Sequence, residues 1–134
     1  MTASEKIAML RSVLLGLTGL VCVSYAVLAI VQGRPDPMPW FVPGVLGILS
    51  GIIISASFAR AGPKAIRAAT DELHREVNSK AQRHAYWVSL ALFVVVSVLS
   101  GTAAFDRDTG FAVLGTLMGS SYLLLFVLHE WRMR

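Results

Sequence analysis

The chain has 134 residues, a formal net charge of +4, and 55% hydrophobic against 15% charged residues. An average soluble domain is nearer a quarter charged, and the mean hydropathy here is +0.65. With one cysteine, these values exclude an ordinary soluble enzyme domain, a disordered chain and a disulfide-stapled module.

The apolar residues fall into four uncharged blocks. Each approaches the roughly 20 helical residues needed to cross a hydrocarbon core of about 30 Å. The first covers residues 12–31. Lys6 and Arg11 could head a signal peptide, but the apolar run is longer than the ~7–15 residues of such a segment, so a retained helix is expected. Cys22 lies inside it with no redox motif around it. The loop Gly33–Pro39 holds three prolines and is expected to be stiff and non-helical.

The second block covers 40–59, with Pro43 tolerated in its first turn, and Gly62-Pro63 ends it. From Lys64 the pattern is helical again. Thr70 reads as a cap, with Asp71 and Glu72 in the turn that follows. Asp71 and Arg75, like Glu76 and Lys80, stand acid before base four residues apart, which supports a solvated helix. Ile66, Ala69, Leu73, Val77 and Ala81 give one apolar stripe.

The third block covers 85–105. No glycine or proline separates it from Leu73, so this helix is expected to extend several turns into the cytoplasm. A shorter helix lying on the membrane surface is the alternative for 64–84. The fourth block covers 110–128, with Asp108 or Thr109 as its cap. The short connections at 33–39 and 106–109 force neighbouring helices antiparallel. The expected fold is all-α: a single membrane domain, 1–134, with four transmembrane helices in an antiparallel bundle.

Charge sets the orientation. Lys6, Arg11, Arg60, Lys64, Arg67, Arg75, Lys80, Arg83, Arg132 and Arg134 fall on one side, and only Arg34 and Arg107 on the other. The positive-inside rule therefore predicts cytoplasmic termini and a cytoplasmic middle loop. Trp40, Phe41, Phe105 and Phe111 read as anchors at the outer boundary, and Tyr86, Trp87 and Trp131 at the inner one. Basic residues facing anionic lipid account for the net charge without nucleic acid.

Little in the sequence carries chemistry. The blocks hold serines, threonines and tyrosines that can bond between helices. They lack the acid or histidine of proton-coupled transporters. Gly47 and Gly51, and Gly115 and Gly119, form two G-x-x-x-G pairs suited to close helix packing, within the chain or with a partner. His84 and His129 fall near the inner boundary, but there is no zinc motif, P-loop or nucleophile–base pair. No catalytic residue, metal or cofactor is expected.

Residues 71–87 read DELHREVNSKAQRHAYW. This segment resembles a family of small, uncharacterised prokaryotic membrane proteins with three or four helices. In that family an acidic pair opens D-E-x-x-R-x-x-N-x-x-A and leads into a helix beginning with an aromatic. Asp71, Glu72, Arg75, Asn78, Ala81, Tyr86 and Trp87 carry the match. The resemblance implies a multi-helix protein of the prokaryotic cytoplasmic membrane, a companion of cytoplasmic helix-turn-helix regulators, with no established activity or cofactor.

The functional expectation is a non-enzymatic membrane protein acting by protein–protein contact, as an accessory subunit or a membrane-tethered regulator. Its expected contact surface is Asp71, Glu72, Arg75, Glu76, Asn78 and Lys80, with Leu73 and Val77 beneath. Besides membrane lipids, the expected partner is another protein or a second copy. The alternative is an oligomeric small transporter or channel component sealed through its glycine pairs.

Overall fold

The computed structural model describes residues 3–39, 41–69, 72–100 and 106–132. Five helices follow in order: α1 (Ala3–Gln32), α2 (Phe41–Arg60), α3 (Pro63–Ala69), α4 (Glu72–Leu99) and α5 (Arg107–Arg132). Four of them, all but α3, are long and apolar enough to cross a membrane. Trp40, Phe105 and the predicted Thr70–Asp71 cap lie outside the described residues.

Local chemistry explains the boundaries. Gly33 ends α1 at a φ of 60°, a conformation glycine adopts at no steric cost. Its N–H bonds the Ile30 carbonyl at 3.3 Å, and the Arg34 N–H bonds Ala29 at 3.2 Å. This pair of bonds is a Schellman cap. The Tyr25 hydroxyl then donates to the Pro35 carbonyl at 2.8 Å, pinning the proline loop to α1. Pro43 sits in the first turn of α2, where no helical N–H is lost. At Gly62-Pro63 the chain breaks and restarts as α3.

One boundary differs from expectation. The α5 helix starts at Arg107, and the Gly110 N–H bonds the Asp106 carbonyl at 2.9 Å. Asp106 is thus the cap position, rather than Asp108 or Thr109. Asp108 lies in the first turn, where its charge suits the helix dipole, and Thr109 is buried. Helix is also described on both sides of the expected Thr70 cap, as α3 up to Ala69 and as α4 from Glu72.

Packing follows the order α2, α1, α5, α4, with α3 against α1. Along α1 from Arg11 through Gly19 to Ala29, the partners on α5 run backwards from Glu130 through Leu124 to Val113. The two helices are antiparallel, so the N-terminal end of α1 lies beside the C-terminal end of α5. Gly19 permits their approach: a Cβ there would stand 2.9 Å from Leu124 Cγ and Cδ2. On its other flank α1 meets α2 through Thr18 and Ser50, whose buried hydroxyls lie 3.1 Å apart.

Two small clusters form the interior. Ala26, Ala29 and Val113 pack at one end, and Val77, Ala81 and Phe126 at the other. Most large apolar side chains face outward instead, Ile48 at 66% and Val98 at 67% exposure among them. Exposed apolar side chains in such number are what lipid, rather than water, tolerates. Among the described residues no extensive contact joins α2 to α4.

Candidate functional site: a charged helix face over a buried ion pair

Three helices meet where α1 begins and α5 ends, and polar groups concentrate there. Arg11 on α1 and Glu130 on α5 form a salt bridge of 3.0 Å, with side chains only 9% and 10% exposed. The Ser12 hydroxyl lies within bonding distance of the second Glu130 oxygen and of the Ala8 carbonyl at 3.0 Å. Its single proton serves one of them at a time. The Arg11 guanidinium stands over the Phe126 ring, 5.3 Å from the centroid, a cation–π contact. The pair thus has an ionic, a hydrogen-bonding and an aromatic partner, which a buried charge requires.

The N-terminal half of α4 lies along this region. Val77 and Ala81 are almost fully buried against Phe126, with Leu15, Leu125 and Val127 around them. Asn78 Oδ1 accepts the Tyr122 hydroxyl at 2.7 Å. The His74 ring meets Phe126 edge to face at 5.6 Å. His84 stacks on His129 at 5.1 Å and 24°. His129 Nδ1 is 2.7 Å from the Leu125 carbonyl. A carbonyl only accepts, so Nδ1 carries the proton and Nε2 is the acceptor in the neutral ring.

This contact arrangement divides the residues expected to bind a partner. Val77 and Asn78 point into the protein and are held by Phe126 and Tyr122, so no partner reaches Val77 without opening that packing. Arg75 and Glu76 are exposed, and Lys80 is half-buried, with Lys80 bridging Glu76 at 2.7 Å. Ser79, Gln82, Arg83 and His84 extend the exposed polar face. Asp71 lies outside the described residues. Glu72 and Leu73 belong to α4, but their side chains lie outside the described ones.

The register decides what this face means. The charged turns of α4 are carried at the height of Leu15 and Phe126, where α1 exposes Val13 and Leu17. They do not stand clear of the other helices. Tyr86 and Trp87, 63% and 61% exposed, mark where the outer face of α4 turns apolar. From there to Leu99 the helix rises only about 20 Å at ~1.5 Å per residue, well short of a ~30 Å hydrocarbon core.

The glycine pairs sit elsewhere. A Cβ on Gly51, Gly115 or Gly119 would meet nothing within 4 Å, and one on Gly47 would meet only Thr18 Cγ2, at 3.9 Å. Close packing inside the chain uses Gly19, which has no G-x-x-x-G partner in the sequence. Trp131 is exposed like Tyr86 and Trp87. Among the described residues no three His, Cys, Asp or Glu side chains group closely enough to hold a metal.

Sequence reasoning missed the Arg11–Glu130 pair. Both residues flank apolar blocks and read as boundary charges. The available signal was their opposite sign at two block ends that an antiparallel arrangement brings together. No protein-family profile, curated protein or solved structure matches the chain.

Proposed function

We propose that this chain is a non-enzymatic integral membrane protein that works by protein–protein contact through the outer face of α4. It acts as an accessory subunit or a membrane-tethered regulator. The four apolar helices form an antiparallel assembly in a prokaryotic cytoplasmic membrane. Both termini and the start of α4 are at the cytoplasmic side, as the distribution of Lys and Arg favours. Phe41 and Trp131, both exposed, anchor it at the headgroups.

One observation carries this reading: from Ser79 to Arg83 the polar outer face of α4 runs beside the stretch of α1 that exposes Val13 and Leu17, rather than clear of the other helices. Charged and amide groups facing lipid are costly, and membrane helices turn them toward protein or water. Arg75, Lys80 and Arg83 outweigh Glu76 there, so the partner surface presents acidic or amide side chains. The face is flush with its neighbours, which suits side-by-side docking of another membrane helix.

Reversing Arg75 and Arg83 together to Glu tests this. The expected result is loss of the stoichiometric partner from mild-detergent eluates, with helix content unchanged by circular dichroism. An unchanged complex would defeat the proposal.

A second reading is supported by the open glycines. Gly51 on α2, and Gly115 and Gly119 on α5, offer backbone to a neighbouring copy, as an oligomeric transporter or channel component needs. Gly115→Leu should then reduce the native mass of the oligomer. An unaltered mass would discard that seam.

A further inference from the structure

At the far end from the ion pair, the α4–α5 hairpin holds a half-open cleft of about 220 Å³. Phe93, Phe111 and Leu114 make its apolar part, while Ser97, Ser100 and Arg107 line its polar end. Leu114 is seven residues from Arg107, and Phe93 seven from Ser100. At ~1.5 Å per residue, the apolar part therefore lies roughly 10 Å below the polar part on both helices. Val113 packs on Ala26 and Ala29, so Arg107 stands level with the turn that ends α1. That is the height at which a bilayer changes from acyl chain to headgroup.

We infer that this cleft is a binding site for one phospholipid with an amine-bearing zwitterionic headgroup. Its phosphate would bond Arg107 and the Ser97 hydroxyl, the Ser100 hydroxyl donating to the Ser97 carbonyl at 3.1 Å, and part of one acyl chain would lie between Phe93 and Phe111. The inference rests on the reading that the four apolar helices span a membrane. The volume is below the ~300 Å³ at which complete small-molecule pockets begin, which suits a segment of acyl chain rather than a whole soluble ligand. A guanidinium is the side chain best matched to phosphate oxygens. Asp106 and Asp108 bracket Arg107 in the chain and are exposed. They oppose a headgroup of purely negative charge and complement an ammonium. Ordinary annular lipid needs neither the cleft nor the arginine.

The test is native mass spectrometry of the full chain. The protein is reconstituted with equal phosphatidylethanolamine and phosphatidylglycerol, then extracted in mild detergent. Wild type is expected to keep one phosphatidylethanolamine per chain. Arg107→Gln should reduce its occupancy at least fivefold, Ser97→Phe should displace it by filling the cleft, and Arg107→Lys should retain much of it. Asp106→Asn with Asp108→Asn should move the retained lipid toward phosphatidylglycerol. Matching helix content across the variants shows that each has folded.

No retained lipid, or equal retention by Arg107→Gln and Ser97→Phe, would overturn the site. Preference for phosphatidylglycerol in wild type would overturn the headgroup assignment. Failure of the membrane reading shows separately, as chain that stays in the soluble fraction before any lipid is assayed.

Discussion

At the scale of single residues, Arg11 and Glu130 tie the start of α1 to the end of α5. Removing one partner of such a pair leaves the other charge buried, a cost of about 3–5 kcal/mol, whereas removing both can be nearly neutral. Arg11→Met or Glu130→Met alone should each lower the unfolding midpoint in detergent, and the double variant should recover most of the loss. Additive losses would mean that the pair is not a coupled unit. Gly19 makes a second residue-scale case. A leucine there must displace Leu124, at a cost of order 1–3 kcal/mol from overpacking. Leucine at Gly115, where a Cβ meets open space, should leave the stability of the single chain unchanged. The check is thermal unfolding of both variants in one detergent.

At the scale of elements, α4 is amphipathic over its first half and apolar outside over its second. Its inner face is fixed by Val77 and Ala81 on Phe126, and by the Tyr122–Asn78 hydrogen bond. Tyr122→Phe should cost about 0.5–1.5 kcal/mol, the net worth of one such bond, and Asn78→Leu should cost more, because it also leaves the Tyr122 hydroxyl without that acceptor. Chemical unfolding of the two variants measures this.

The limits of the elements were legible in the sequence where chemistry punctuates strongly. Gly62-Pro63, Pro43 and the Glu76–Lys80 pair all act as expected from their spacing. The cap of α5 was not, because Asp106, Asp108 and Thr109 are all competent caps within one turn. The ladder of carbonyls, rather than side-chain type, selects among them. The glycines illustrate a different limit. Spacing shows that Gly47, Gly51, Gly115 and Gly119 could line a seam, but not which face each helix turns to a neighbour. Gly16 and Gly19, closer together in sequence, face α5 instead.

At the scale of the whole molecule, the four long helices were legible from composition because lipid demands length and apolarity together. Their relative heights were not. Hydropathy reads each helix alone, so it leaves open whether the start of α4 stands by itself or lies beside its neighbours. Contacts between residues far apart in sequence, such as Asn78 with Tyr122, place it beside them. That register sets a polar outer face beside Val13 and Leu17, both exposed on α1, and it is the reason for expecting a protein against α4.

The most direct measurement is site-specific photocrosslinking in intact native membranes. A photoreactive residue is placed singly at Ser79, Gln82 or Arg83 on the polar face, and at Val94 or Val98 on the exposed apolar face. One discrete protein adduct at the first three positions, with lipid adducts at the last two, is the expected result. Lipid adducts alone at all five would contradict a protein-covered α4.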